Sequence, residues 1–486
     1  MRLSRTLAWL ALVVLAPSLE AQITSEEYAA RRAALAERMG DGVVIAFGGR
    51  APVRHWPPFY QHPAFRYLTG FLESNAAFVM VRRDGRTTST LFVEQGNART
   101  ALYNGKRATL DQISERLGLD ARYNDELRRY VESVIDEGLP VYSVPDVQSN
   151  EYSAQDSLTA GRNFFRGLVA AHPGLRVSES NQWVDELRAK KSDAEIALLK
   201  TAADMSSRAH EAAMRAIRPG IRESEIQAVM EAEYRKLGAD SPGYSSIVGS
   251  GPNSTVLHYP AGTRVAKSGE VVLMDVAAYY QGYSADITRT VPVDLEFSRT
   301  HRDVYEIVLA AQKAAERVIE PNAPRSAPTD AAYGVLKNGL VKLGLIESVD
   351  ASFDAPSGLC PGAWANDDGT CPQWYLYVYH GFFHGIGLDV HDPSQFATGP
   401  RRFQAGDVFT IEPGIYVRET VFEGLPDTPR NRALIVYAQA SVDRYVNIGV
   451  RIEDNYVLTT EGLERITDVP REIDEIEALR SRPVSE

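Results

Sequence analysis

The chain has 486 residues, enough for two or three domains of roughly 100–200 residues each. Apolar residues make up 44% of it and charged residues 24%, which excludes a wholly disordered or fibrous chain. The formal net charge of −12 argues against nucleic acid as a partner, because an acidic surface repels the phosphate backbone. Cys360 and Cys371 are the only cysteines, so a Cys-rich zinc module and a scaffold held by several disulfides are also excluded.

The first 21 residues have the pattern of a secretory signal. Arg2 and Arg5 precede an apolar run at 6–17, and the small residue Ala21 stands before the polar Gln22. An uncleaved membrane anchor is the alternative, but the run is shorter than the roughly 20 residues that a spanning helix needs. We therefore expect cleavage after Ala21, export to the periplasm or the extracellular space, and no membrane span in the mature chain.

Residues 22–180 are predicted to form an α/β domain. The segment 25–39 has the periodicity of an amphipathic helix, and Gly40 ends it. Asp84-Gly85 is a strong signal for a tight hairpin turn between two strand-like runs. The predicted strands span 43–47, 76–82, 87–94 and 140–144.

Residues 181–486 are predicted to form a larger α+β domain. Two of its helices begin with the capping pattern in which Ser is followed three residues later by Glu or Gln. These pairs are Ser192 with Glu195 and Ser224 with Gln227. Gly238 is expected to end the second helix. The predicted helices span 192–217, 224–237, 303–319 and 330–343.

Cys360 and Cys371 are flanked by Gly, Pro and Asp residues that favour turns. In an exported protein, an even number of cysteines at close spacing predicts a disulfide that pins an irregular loop. Two free thiols are the alternative.

Residues 270–293 are predicted to form an antiparallel hairpin. Its arms, 271–279 and 283–293, are rich in β-branched and aromatic residues, and Gln281-Gly282 lies between them. A two-residue turn at Gln281-Gly282 would fix which residues of the two arms face each other.

That register brings two carboxylates to one face of the hairpin. Asp275 lies opposite Thr288, and Asp286 lies opposite Ala277. Side chains alternate along a strand, so Asp275 and Asp286 become diagonal neighbours with backbones about 7–8 Å apart. Burying both is costly unless a cation neutralises them. The alternative is that both face solvent.

Three of the nine histidines, His380, His384 and His391, fall within the segment YHGFFHGIGLDVHD. His380 and His384 have the spacing of a zinc-protease helix, but Gly381 stands where that motif needs its glutamate. The glycines also disfavour a helix. A glycine-rich loop that gathers imidazoles indicates a functional site more than a core.

Glu412 and Glu453 each lie in a short, strand-like run of hydrophobic and β-branched residues. With Asp275, Asp286 and one histidine, they form a ligand set suited to two divalent ions. Oxygen-rich ligation favours Mn²⁺, with Co²⁺, Fe²⁺ or Zn²⁺ as alternatives. Two such ions about 3.5–4 Å apart are suited to hydrolysis. The sequence has no G-x-S-x-G elbow, phosphate-binding loop or dinucleotide fingerprint.

The order of these residues, together with the segments around them, resembles a known family. The segments are HYPAG, DITRT, HGIGLDVHD, EPGIY and VRIED. In them the chain is similar to the pita-bread metallopeptidases, and most of all to their aminopeptidase P branch. The resemblance implies an N-terminal α/β domain over 22–180 and an α+β pita-bread, creatinase/aminopeptidase-like catalytic domain over 181–486.

The resemblance also implies roles for the metal ligands. Asp286 and Glu453 would bridge two ions. Asp275 would bind one of these ions, and His384 with Glu412 would complete the other. Glu412 would also relay the proton from the attacking water to the leaving proline nitrogen.

Further roles follow from the same resemblance. His258 and His391 would stabilise the oxyanion of the scissile carbonyl, although a structural hydrogen bond is the alternative for His391. The residues implied around the substrate are His380, Tyr416 and Arg451 at the proline pocket and Tyr244 at the wall of the site.

Two segments, 350–379 and 417–446, are longer than the family pattern leads us to expect. The second is predicted to be an extended loop, and it holds Arg418, Arg430, Arg432 and Arg444.

The resemblance implies an exported X-Pro aminopeptidase that acts on proline-containing peptides and forms a dimer or tetramer. The first alternative is an X-Pro dipeptidase, which must meet the substrate's carboxylate, and one of the four arginines in 417–446 could do so. The second alternative is a non-catalytic binding module of the same fold.

Overall fold

The computed structural model describes residues 22–51, 59–135, 138–144, 159–362, 364–393 and 401–482. The predicted signal at 1–21 lies outside these ranges, so export stays a prediction. Within them, every helix is too short or too polar to span a bilayer. The described chain forms two units that meet near residue 180, and the exact domain boundaries also stay a prediction.

The N-terminal unit is built on one six-stranded sheet. Its strands are β1 (Gly42–Phe47), β2 (Ala77–Arg83), β3 (Arg86–Val93), β4 (Asp120–Tyr123), β5 (Val141–Ser143) and β6 (Val177–Glu179). They lie in the order β4-β3-β2-β1-β5-β6, antiparallel among β1, β2 and β3 and parallel elsewhere. The helices beside the sheet are Ser25–Met39, Pro63–Thr69, Ala98–Asn104, Leu110–Leu117, Leu127–Ile135 and Ala160–Ala171. The predicted α/β architecture is confirmed.

Local signals set several bounds of this unit. The helix Ser25–Met39 has the predicted limits, because the Thr24 hydroxyl accepts a hydrogen bond from the backbone of its first turn. Asp84 and Gly85 have φ values of 49° and 74°, which the tight turn between β2 and β3 requires.

Seven helices belong to the described part of the second unit. They span Asn181–Ala189, Asp193–Ala216, Glu223–Lys236, Arg299–Glu316, Ala327–Lys342, Pro429–Tyr445 and Ile473–Ser481. The capping box of Ser192 and Glu195 is confirmed. The one predicted at Ser224 is wrong, since that helix already starts at Glu223. Buried Glu223 accepts hydrogen bonds from Ser250 and Asn253, which fixes the first turn one residue earlier.

Short strands make up the rest of the second unit. They are β7 (Ser241–Pro242), β8 (Ile247–Ser250), β9 (Val271–Asp275), β10 (Ala278–Tyr280), β11 (Tyr283–Ser284), β12 (Thr288–Pro292), β13 (Ser352–Phe353), β14 (Cys371–Pro372), β15 (Val408–Ile411), β16 (Gly414–Val417), β17 (Ile448–Arg451), β18 (Asp454–Leu458) and β19 (Leu463–Arg465). Their sheets have the orders β11-β10-β7, β12-β9-β8, β15-β18-β19, β13-β14 and β16-β17. Strands and long helices share one apolar core, which confirms the α+β class.

The predicted hairpin has the expected register. Tyr280 pairs with Tyr283, and Asp275 pairs with Thr288. Gln281 has a φ of 47° and Gly282 a φ of 95°, as a two-residue turn of this kind needs. Each arm is broken, however, so the hairpin consists of β9 and β10 on one side and β11 and β12 on the other.

The two long segments are more ordered than the sequence suggests. Cys360 and Cys371 form a disulfide with Cα atoms 6.0 Å apart, and β14 then pairs with β13. The segment 417–446, predicted to be an extended loop, contains the helix Pro429–Tyr445. Thr428 caps that helix and Pro429 occupies its first position, a start signal that the sequence prediction missed.

The units meet beside the hairpin turn. Arg66 Nη2 donates to the carbonyl oxygen of Gln281 at 2.5 Å, and the ring of Tyr60 packs edge-on against Tyr279 at 5.6 Å. The Tyr283 hydroxyl donates to Glu195 at 3.0 Å. The hairpin is thus held between the N-terminal unit and the helix Asp193–Ala216.

Candidate metal centre

Four carboxylates converge where strands of the second unit break. The sequence analysis placed them in strand interiors, and for three of them this is wrong. Asp275 is the last residue of β9, and Asp286 lies between β11 and β12. Glu412 lies between β15 and β16, and Glu453 between β17 and β18. At a break the backbone is released from the sheet ladder, so the side chains can turn toward one point.

His384 stands at the centre of this group. Its Nε2 lies 3.4 Å from Asp286 Oδ2, 3.5 Å from Glu412 Oε1 and 3.8 Å from Glu453 Oε1. Potential ligand atoms of Asp286, His384 and Glu453 all lie within 4.8 Å of one another. The structure therefore brings together residues that lie far apart in the sequence.

Asp275 joins the cluster through Tyr244. The Tyr244 hydroxyl contacts Asp275 Oδ1 and also lies 2.7 Å from Asp286 Oδ1. On its other side, Asp275 Oδ2 lies 2.5 Å from Arg451 Nη2. All five predicted ligands thus belong to one cluster, and their roles as ligands stay a prediction.

The imidazole of His384 has the orientation of a ligand. Its Nδ1 lies 3.1 Å from the carbonyl oxygen of Gly385, which makes Nδ1 the donor and leaves Nε2 as the acceptor toward the carboxylates. The backbone N–H of Thr410 in β15 donates to the His384 carbonyl at 2.9 Å. As predicted, the segment is irregular and not helical.

The charges of the cluster are unbalanced. Burial raises the pKa of Asp286 well above its usual range, and the charge of Asp275 adds to this rise. Burial also raises the pKa of Glu412 and Glu453, with neighbouring carboxylates as the next cause. Burial lowers the pKa of His384 to about 4, so this imidazole is neutral at pH 7.

The residues present fit divalent cations. Oε1 of Glu453 is buried with no hydrogen-bond partner, although buried oxygens are nearly always satisfied. Carboxylate oxygens and a neutral imidazole are also the ligands that divalent ions of this class take. A metal would satisfy the orphaned oxygen and offset the negative charge.

A second set of polar contacts surrounds the ligands. Tyr416 Oη lies 2.9 Å from His380 Nε2 and accepts from Arg451 Nη1 at 3.1 Å. The Thr288 hydroxyl accepts from Arg451 Nε at 3.1 Å and donates to Glu453 at 2.7 Å. The predicted pocket residues therefore form one network with the cluster.

Sequence reasoning missed two supporting residues. Thr288 could have been found, since the predicted register already set it opposite Asp275. Asn455 gave no such signal. Its side chain accepts from the Asp286 backbone N–H at 3.1 Å and donates to the Asp286 carbonyl, so it clamps the backbone of that residue.

The two predicted oxyanion histidines lie at the edge of the cluster. His391 is exposed, and its ring centre lies 4.1 Å from that of His384. His258 is also exposed. Burial lowers the pKa of His380 to about 3, and the charges of Arg451 and, more weakly, His258 contribute to this lowering.

A cavity of about 520 Å³ adjoins the cluster on the side of Tyr244. Its walls come from both units of the chain. They include Tyr60 and Pro63, Gln227 and Glu231, Ser246, Tyr279, and Asp389 with Val390. Three tyrosines and two carboxylates line this space, which combines apolar and polar surface as expected of a pocket that binds a small molecule or a side chain.

Two family models match the chain. The model described as metallopeptidase family M24 matches residues 197–460. The model described as aminopeptidase P, N-terminal domain, matches residues 28–142. The first match contains every residue of the cluster, and the second covers much of the N-terminal unit.

Named relatives match over nearly the full length. The Xaa-Pro aminopeptidase of Escherichia coli (strain K12) is 31% identical over 473 residues, which cover 94% of this chain and 98% of that protein. The Xaa-Pro dipeptidase of Homo sapiens is 28% identical over 485 residues, with coverages of 93% and 92%. The solved structure of E. coli aminopeptidase P with the inhibitor Pro-Leu has a TM-score of 0.77 at 29% identity, with coverages of 94% and 98%. Both activities occur among the relatives.

We predict that Asp286→Ala loses divalent metal, because Asp286 lies within reach of both His384 and Tyr244. Metal content after reconstitution and desalting, measured by mass spectrometry, should fall well below that of the unmodified chain. Asp204→Ala is the matched control, since Asp204 is exposed and, within the described ranges, its ion pair is with Arg208 of its own helix. Equal metal content in Asp286→Ala and the control would refute the assignment.

Proposed function

The chain belongs to metallopeptidase family M24, and from this premise we propose that it is an exported X-Pro aminopeptidase. It is a metal-dependent hydrolase with an aminopeptidase P-type N-terminal unit. The proposed reaction releases the first residue of a peptide whose second residue is proline. The observation that carries the proposal is the buried group of Asp286, His384 and Glu453 in a chain 31% identical to an Xaa-Pro aminopeptidase.

We propose that the centre takes two divalent ions, Mn²⁺ in the first place, with Co²⁺, Fe²⁺ or Zn²⁺ as alternatives. The residues that would hold them are Asp275, Asp286, His384, Glu412 and Glu453. When bound, such ions lower the pKa of water and polarise a carbonyl group. The remaining chemistry falls to side chains of the protein.

Glu412 is the side chain proposed to carry the proton. Its Oε1 faces His384 Nε2 at 3.5 Å, and its Oε2 lies 3.6 Å from His380 Nδ1. Burial raises its pKa, and a base whose pKa is raised accepts a proton more readily. Glu412 would take a proton from the attacking water and pass it to the proline nitrogen as the peptide bond breaks.

The neighbouring residues would hold the peptide. His258 and His391 would donate to the carbonyl oxygen as negative charge develops on it, which is where fixed donors stabilise a transition state most. His380 and Tyr416, fixed by their mutual hydrogen bond and by Arg451, would form the wall of the proline pocket. The contacts among His380, Tyr416 and Arg451 are thus made within the protein itself.

The cavity beside Tyr244 is proposed to take the side chain of the first residue. Its wall includes Tyr244, whose hydroxyl contacts both Asp275 and Asp286. A volume of about 520 Å³ exceeds that of a single side chain, so broad acceptance of first residues is expected.

Three of the four arginines in 417–446 are engaged away from the metal cluster, which favours the aminopeptidase over the dipeptidase. Arg430 pairs with Asp354 at 2.6 Å, and Arg432 pairs with Asp427 at 2.5 Å. Arg444 lies 3.3 Å from Asp303. A dipeptide's carboxylate would therefore lack these three partners.

Export is proposed from the sequence pattern at 1–21. The disulfide of Cys360 and Cys371 is in keeping with an oxidising compartment. The dimer or tetramer implied by the family resemblance stays a prediction.

We predict that Glu412→Gln lowers kcat by about 10²–10⁴-fold, because an amide cannot carry the proton. The measurement is turnover of Ala-Pro-Ala under matched metal loading. Glu419→Gln is the control, since Glu419 is exposed just beyond β16. Near-normal kcat in Glu412→Gln at full metal content would move the base to another residue.

We predict that kcat/KM for Ala-Pro-Ala exceeds that for Ala-Pro by at least about tenfold, or ~1.4 kcal/mol of transition-state discrimination. Both peptides are assayed with the same Mn²⁺-loaded protein. A tenfold preference for Ala-Pro would identify a dipeptidase, and failure to cleave either would leave the non-catalytic alternative.

We predict that the protein recovered from its producing cell begins at Gln22 and has no free thiol. Sequencing of the N-terminus and intact mass after alkylation, before and after reduction, measure both. An intact residue 1 in exported material, or two alkylated thiols without reduction, would count against the proposal.

A further inference from the structure

Arg418 is the remaining arginine of the segment 417–446, and it lies close to the proline pocket proposed above. It follows β16 directly, two residues after Tyr416. Its guanidinium carbon lies 5.0 Å from the ring centre of Tyr379, and that ring lies 5.2 Å from the ring of Tyr416. The aromatic ring under the guanidinium restricts where the charged group can move.

This guanidinium is not engaged as the other three are. Among the described residues, no carboxylate pairs with Arg418, and its Nε is buried without a hydrogen-bond partner. The hydroxyl of Tyr377, two residues before Tyr379, is also buried and unpartnered. Arg418 is near enough for its charge to act on Tyr377. Buried polar atoms without partners are rare, so the unsatisfied Nε–H of Arg418 indicates a group that binds at this guanidinium.

The distance between Arg418 and the proline pocket indicates which part of a peptide could reach this guanidinium. Tyr416 Oη contacts His380 and Arg451, so Tyr416 marks the edge of the proline pocket. The two ring contacts put the Arg418 guanidinium within about 10 Å of the Tyr416 ring centre. An extended peptide advances about 3.3–3.6 Å per residue, so one or two residues beyond the proline cover much of this span.

We propose that Arg418 binds the C-terminal carboxylate of short peptides that continue for one or two residues after the proline. This inference rests on the proposed function and deepens it by naming the substrate class, tripeptides and tetrapeptides with a free carboxylate. A guanidinium offers Nε–H and Nη–H in a planar fork that matches a carboxylate. The carboxylate of an X-Pro dipeptide ends too early to reach it.

The test compares peptide acids with their amides. In the Mn²⁺-loaded unmodified protein, kcat/KM for Ala-Pro-Ala should exceed that for Ala-Pro-Ala amide by about tenfold, mainly through KM. In Arg418→Gln this ratio should fall to near one. Arg430→Gln is the matched control, because Arg430 is engaged with Asp354, and it should keep the ratio of the unmodified protein.

The ratio separates recognition from structural damage. A variant that is merely misfolded loses activity on acid and amide alike and keeps the ratio, and that outcome overturns the proposal. Arg418→Lys should restore part of the ratio, since it returns the charge without the fork. An unmodified protein that shows no acid preference overturns the proposal as well.

Failure of the proposed function gives a different result. If the unmodified protein cleaves neither Ala-Pro-Ala nor Ala-Pro, calorimetry with Pro-Ala and Pro-Ala amide reads the same site without catalysis. Tighter binding of the acid that Arg418→Gln removes would support the carboxylate site, and equal binding of acid and amide would overturn it. A dipeptidase would instead cleave Ala-Pro faster and show no effect of Arg418→Gln on that dipeptide.

Discussion

The second unit depends on burying four carboxylates around one point. Asp275 is 7% exposed, Asp286 5% and Glu453 1%, and all three lie near Glu412. Arg451, at 2.5 Å from Asp275, is the cation in direct contact with them. Burial raises the pKa of Asp286, Glu412 and Glu453, and the charges of neighbouring carboxylates add to the rise. The single guanidinium of Arg451 cannot offset four negative charges. Divalent cations bound by these side chains would complete the charge balance of the cluster.

A separate buried ion pair holds the strands in the geometry that the cluster needs. Arg289 in β12 pairs with Asp454 in β18 at 2.5 Å, and both are fully buried. Arg289 also donates to the backbone carbonyl of Glu453, the residue before Asp454. The ion pair therefore fixes the backbone of this predicted metal ligand. Burial alone would raise the pKa of Asp454, but the charges of Arg289 and two further arginines lower it. This carboxylate therefore stays ionised and structural, while its neighbour Glu453 points toward His384 and is a predicted metal ligand.

The sequence predicts those structural features that depend on residues close together in the chain. The turn at Gln281-Gly282 fixes the register that pairs Asp275 with Thr288, because a two-residue turn leaves one pairing. It does not predict that strands break at Glu412 and Glu453, since those breaks come from packing against other strands. The start of a helix at Glu223 likewise depends on Ser250 and Asn253, far along the chain. Local signals predict the elements and some of their ends, as at Thr24, whereas ends such as Glu223 depend on distant contacts.

The segment 350–379 lies outside the cluster but is connected to it through a series of aromatic contacts. Its disulfide lies beside Trp364 and Trp374, and both rings pack on Tyr333 at 5.4 and 4.9 Å. Tyr333 in turn packs on Phe382 at 4.5 Å. The Phe382 carbonyl accepts the backbone N–H of Glu412, and its ring lies 5.7 Å from that of His380.

Through these aromatic contacts, the segment 350–379 supports the loop that carries His380 and His384. The segment 380–387 contains three glycines and has no regular secondary structure, so its position depends on packing against other parts of the chain. Phe382 lies midway between His380 and His384 in the sequence, and its buried side chain packs on Tyr333, which in turn contacts Trp364 and Trp374. A change in the packing of the segment 350–379 would therefore alter the distance between His384 and Glu412. The ring contacts thus connect the segment that carries the disulfide to the backbone that sets the spacing of His384 and Glu412, although neither cysteine is a predicted ligand.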